Sequence, residues 1–126
     1  MPDEPAEIRL TIPGTPEFLR LARLAAADAG SRAGLTYEEI EDLRIGVDEL
    51  SHSVMSAGGG QALTLVFRLQ PGSVVVEGSR PAAALAKKVD QSDLSRTIVA
   101  AVVDEHEIGH DGDTLKFRLT KRALDR

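Results

Sequence analysis

Neither cysteine nor tryptophan occurs among the 126 residues, and the aromatic side chains amount to three phenylalanines and one tyrosine. Without cysteine there is no disulfide framework and no thiolate metal site, which suits a reducing compartment. Scarce aromatics and a net charge of −5 remove the stacking platforms and the basic stripe that nucleic acid would require. Lys116, Arg118, Lys121 and Arg122 do cluster, but they alternate with other residues as the solvated side of a strand does. No apolar run approaches a membrane span, and MPDEPAEIRL carries acidic residues where a secretory signal needs a basic and then an apolar region. A soluble, cytoplasmic protein is expected, without nucleic acid or membrane as partner. A chain of this length buries about two-thirds of its unfolded surface and needs no structural metal.

What is present divides into short periodic segments. EIRLTI, 7–12, alternates with Ile8, Leu10 and Ile12 on one side, the pattern of a half-buried strand. Pro13-Gly14 ends it. Thr15 is then placed to cap a helix that starts at Pro16, with Phe18, Leu21, Ala22, Ala25 and Ala29 as its apolar stripe. Thr36 and Glu39 in TYEE form a capping box, and the long helix behind it repeats Ile40, Leu43, Val47, Leu50 and Val54 at intervals of three and four. Gly58 to Gly60 breaks that helix; it lacks the Lys-Ser/Thr of a phosphate loop and reads as a flexible turn. ALTLVFRL and SVVVE, 62–69 and 73–77, are β-branched and apolar around Pro71-Gly72 and predict neighbouring antiparallel strands. A short helix fits 81–88. A further helix opens at Ser92 or Asp93 and would bury Leu94, Ile98, Val99, Val102 and Val103. In the last strand, TLKFRLTK, Leu115, Phe117 and Leu119 face one way.

Between that helix and that strand lies HEIGH, 106–110, a literal match to the H-E-x-x-H pattern of zinc peptidases. On a helix the two histidines would stand about 6 Å apart and could share a metal ion. On a strand they would be roughly 13 Å apart. Asp111-Gly112 comes directly after and favours a tight hairpin, which needs a strand on each side and so predicts one over 105–110. No proline between 94 and 109 forbids a helix running through to His110, although Gly109 weakens it.

The order strand, helix, helix, strand, strand, short helix, helix, strand, strand predicts an α+β fold, a two-layer sandwich whose mostly antiparallel sheet is covered on one face by helices. This order resembles the histidine-kinase-like ATPase fold in its small single-domain form, the bacterial anti-sigma factors with serine-kinase ancestry. EEIEDLRIGVDELSHSVM, 38–55, looks like that family's second helix, and SRTIVAAVVDEHEIGHDGDTLKFRLTKR, 95–122, like its last helix and C-terminal hairpin. The resemblance spans 6–122, taken as one domain with short tails at 1–5 and 123–126.

In that family the second helix carries a glutamate that acts as base on the attacking group and, four residues on, an asparagine that ligates magnesium. The resemblance thus implies Glu49 as catalytic base and puts Ser53 at the magnesium position, on one helix face with Gly46 and Asp42. A serine hydroxyl is a weaker ligand than an amide oxygen, though hard cations accept it. The family's aspartate-x-glycine-x-glycine loop, which reads adenine, is represented by Glu77 or Val76 and by Gly78, with Pro81 where flexibility is wanted. Its glycine-threonine pair is represented by Gly112 and Thr114, displaced by one, and no glycine-rich lid stands between 78 and 95. The nucleotide boxes are therefore read as eroded, with ATP and Mg2+ bound weakly or not at all.

Three functions are compatible with these residues. The leading one is an anti-sigma-like regulator that sequesters a sigma factor, is controlled by an anti-sigma factor antagonist of the STAS type, and pairs as a homodimer as the resemblance implies. The second is an active serine protein kinase that phosphorylates the antagonist with Mg-ATP. The third is a zinc peptidase using His106, Glu107 and His110, which would need a further ligand such as His52. The strand expected over 105–110 argues against zinc.

Overall fold

A computed structural model describes residues 6–57, 60–81 and 91–124. Five strands, β1 (Ala6–Ile12), β2 (Leu63–Gln70), β3 (Ser73–Pro81), β4 (Glu105–Asp111) and β5 (Thr114–Arg122), form one sheet in the order β1-β2-β3-β5-β4, antiparallel throughout. Helices α1 (Leu19–Arg32), α2 (Tyr37–Met55) and α3 (Asp93–Val102) belong to the other layer. Directly opposed residues of an antiparallel sheet share a face. The register Ile8, Phe67, Val76, Leu119, His106 therefore marks the face toward the helices, and Arg9, Val66, Glu77, Arg118, Glu107 the open one.

The core is the space between those layers. Leu43, Val47, Leu50 and Val54 of α2 are fully buried, as are Leu65 and Phe67 of β2, Val74 and Val76 of β3, and Leu115 and Leu119 of β5. Each such side chain contributes about 1.5–3 kcal/mol on leaving water. The capping box stands as the sequence implies: the Thr36 hydroxyl accepts the Glu39 N–H at 3.2 Å, and the Glu39 carboxylate accepts the Thr36 N–H at 2.7 Å. Glu39 does more, since its second oxygen accepts the backbone N–H of Leu124 at 2.7 Å and ties the chain's end to the start of α2. Glu39→Ala is expected to cost about 1–2 kcal/mol, seen as a lower urea midpoint with unchanged slope.

Five expectations need correction. Thr15 does not cap a helix at Pro16: its hydroxyl donates to the Glu17 carboxylate at 3.4 Å, and Pro16–Phe18 forms a 3-10 turn closed by the Phe18 N–H on the Thr15 carbonyl. In α1, Ala22 and Ala29 are buried as expected and Ala25, like Phe18 just ahead of the helix, packs against the core, but Leu19 and Ala26 join them while Leu21 lies 46% exposed. In α3, Val99 and then Val103 just past its end are buried as expected and Val102 packs against the core, but Leu94 is 71% exposed and Ser95 takes the buried place in the first turn, on Glu49 of α2.

The last hairpin does form, but Asp111 pairs with Thr114, so the two-residue loop is Gly112-Asp113. Only Gly112 has positive φ, +62°, as a type II′ turn requires at its first central position. Lastly, Pro81 ends β3 instead of opening a helix, and the rest of the short helix expected over 81–88 lies outside the described residues, as do Gly58 and Gly59.

HEIGH lies wholly in β4, so His106 and His110 are on an extended backbone, roughly 13 Å apart. Among the described residues no three histidine or carboxylate side chains converge in a way that could hold a metal ion.

Candidate functional site

Helical spacing brings Glu49, Ser53, Gly46 and Asp42 to the side of α2 that meets α3 and β5. The Ser95 hydroxyl, in the first turn of α3, donates to Oε2 of Glu49 at 2.9 Å. That turn is itself capped, the Ser92 hydroxyl accepting the Ser95 N–H at 3.0 Å. A carboxylate beside a helix N-terminus is favoured by the partial positive charge there. One turn below, the Ser53 hydroxyl donates to the Glu49 carbonyl at 3.0 Å. Its lone pairs stay available to a cation, while its proton is committed to the helix backbone.

The neighbouring carboxylates are matched with cations. Asp42 accepts from Lys121 at 3.3 Å, and Lys121 also donates to the Val102 carbonyl at 2.8 Å. Asp48 pairs with Arg23 at 2.7 Å. Glu49 also borders a shallow groove of about 280 Å³ with Arg23, Glu41, Arg44, Ile45 and Asp48.

The sequence-derived residues of β3 divide between the two faces of the sheet. Glu77 is on the open face, opposite Arg118 and ion-paired with Arg68, and so points away from the layer that holds Glu49. Val76 and Gly78 point toward that layer. Val76 is fully buried, and a Cβ built on Gly78 would meet the Phe117 ring at 2.1 Å. Thr114 pairs with Pro81 at the end of the sheet where β3 finishes, and Gly112 lies in the adjoining turn. That end is also where α2 terminates, because Arg80 reaches from β3 to its last carbonyls.

Sequence reasoning missed Arg80 and Ser95. The Arg80 guanidinium is 1% exposed and donates to the carbonyls of Val54 and Met55, each at 3.0 Å, and to Gln61 at 3.1 Å. It neutralises the negative end of α2. Burial lowers its pKa from the ordinary arginine value, yet arginine stays charged inside proteins. The signal was the parity of β3: with Val74 and Val76 inward, residues 78 and 80 must point the same way. Ser95 left no signal, since its partner is 46 positions away.

No family model matches the chain. It is, however, 30% identical over 114 residues to the serine-protein kinase RsbW of Listeria innocua, a match covering 88% of this chain and 68% of that protein. The chain belongs to the RsbW family of anti-sigma factors and serine-protein kinases. Other RsbW kinases match more narrowly: that of Listeria monocytogenes serotype 4a is 45% identical over 56 residues, 44% of this chain and 36% of its own length. The Bacillus subtilis kinase is 45% identical over 42 residues, 33% of this chain and 26% of its own.

The fold agrees. A crystal structure of the RsbU and RsbW domains of Rv1364c from Mycobacterium tuberculosis superposes with a TM-score of 0.72 at 16% identity, over 93% of this chain and 32% of that one. The five-stranded antiparallel sheet with three helices packed on it is thus the histidine-kinase-like ATPase fold of RsbW. No helix among the described residues of this RsbW relative is long and apolar enough to cross a membrane.

Proposed function

We propose that the chain is a partner-binding regulator of the anti-sigma type. It holds a sigma factor, yields to an antagonist protein of the STAS type, and binds ATP and Mg2+ weakly or not at all. Residues 6–122 act as one unit, in the cytoplasm, and two copies pair. The observation that carries this reading is the helix-facing side of β3, which presents Val76, Gly78 and Arg80. An adenine amino group needs an acceptor there. Glu77, the carboxylate nearest in sequence, is on the other face and engaged with Arg68. Binding a protein needs a surface, which erosion of a pocket leaves intact.

A second reading, active serine kinase, is favoured by Glu49, whose carboxylate accepts a serine hydroxyl at 2.9 Å. In that reaction such a carboxylate takes the proton as the hydroxyl oxygen attacks the γ-phosphorus and ADP departs. Ser53 and other hydroxyl or water oxygens would complete a magnesium shell.

Melting in the presence of Mg-ATP separates the two. A ligand at a hundred times its dissociation constant adds about 2.7 kcal/mol, on the order of 10 °C for a chain of this size. The regulator is expected to shift by less than about 1 °C and to retain a sigma factor on affinity purification without nucleotide. A shift of many degrees would transfer the assignment to the kinase.

A further inference from the structure

Among the carboxylates around it on α2, Glu49 has a partner unlike the others. Asp42 and Asp48 face cations, Lys121 and Arg23, whereas Glu49 is held by a neutral hydroxyl, that of Ser95. Ser95 is 8% exposed and fixed from two sides, its N–H on the Ser92 hydroxyl and its own hydroxyl on the carboxylate. Glu49 itself is reached from outside through the groove it shares with Arg23, Glu41, Arg44, Ile45 and Asp48. A neutral hydroxyl on a carboxylate can be exchanged for another at little net change, because the same kind of bond is made and lost. An ion pair cannot.

We propose that Ser95 is an intramolecular occupant of the Glu49 site. It takes Oε2 of the carboxylate, the oxygen that the hydroxyl of an acceptor serine would use, and a partner's serine bonds that oxygen by displacing it. This rests on the second reading above, in which Glu49 is the base of a serine kinase, and it adds a regulation of that site: where α3 sits on α2 decides whether Oε2 of the carboxylate is free. The position is within the first turn of a capped helix, so a shift of that turn releases the hydroxyl without unfolding the core.

The test needs no nucleotide. Wild type and Ser95→Ala are treated with a water-soluble carbodiimide and an amine, and modification of Glu49 is followed by peptide mass, with amide exchange across 93–102 measured in parallel. Loss of the hydroxyl is expected to speed labelling of Glu49 about tenfold, the low end of what a hydrogen bond to a charged group is worth, with exchange along α3 unchanged. An unchanged labelling rate overturns the proposal. So does faster labelling together with faster exchange along α3, which would make the bond a mere fastener between helices. Since Mg-ATP is absent, failure here leaves the melting result standing, and a large shift with Mg-ATP leaves this result standing.

Discussion

Replacing Arg80 by methionine is expected to destabilise the fold by about 3 kcal/mol, a large share of the roughly 5–15 kcal/mol that holds a typical domain together. The methionine fills most of the volume, so the loss comes from polar groups. Two carbonyls at the end of α2, those of Val54 and Met55, lose a donor in a place water does not reach. Each such orphaned acceptor costs about 1–3 kcal/mol. For two acceptors that is about 2–6 kcal/mol, and removing a buried cation returns part of its desolvation, which puts the total toward the lower end.

Arg80→Lys gives the control. An ammonium is a point charge that cannot span three acceptors as a planar guanidinium does, so an intermediate loss is expected. Urea denaturation would decide it. A methionine variant as stable as wild type would mean that Arg80 is a tolerated burial and no brace for α2.

How far the fold could be read from sequence depended on how local each cause was. The capping box needs residues three apart and was legible in TYEE. The hairpin around Gly112 was legible too, although the loop is one residue later than Asp111-Gly112 suggests, because cross-strand pairing sets the register. The apolar faces of α1 and α3 were legible as well, apart from Leu21 and Leu94, which lie exposed. What apolar spacing could not show is that a polar residue, Ser95, takes a buried place in the first turn of α3. The candidate site obeys the same division. Glu49 and Ser53 share a helix face by arithmetic alone. Glu77, Val76 and Gly78 could be placed only once the faces of β3 were known, and Ser95 only once α3 had docked on α2.

Gly78→Ala is expected to cost about 2–3 kcal/mol, unusually much for one added methyl group. Backbone conformation is not the cause, since Gly78 lies within β3 and its φ is not positive. The cause is space: a Cβ there would come within 2.1, 2.5 and 2.8 Å of three atoms of the Phe117 ring, which is 2% exposed and directly opposite in the register. The glycine that the family resemblance assigns to close approach by a nucleotide is approached in this chain by its own phenylalanine. A double-mutant cycle tests that directly. Phe117→Leu alone should cost about 1–2 kcal/mol, since the smaller side chain leaves part of the ring's space unfilled. Combined with Gly78→Ala it should restore part of the loss, leaving the pair at least about 1 kcal/mol more stable than the sum of the single changes predicts. Strict additivity would show that the two positions do not compete for the same space, and the tight packing of Phe117 over residue 78 would then no longer explain why glycine is required in this strand.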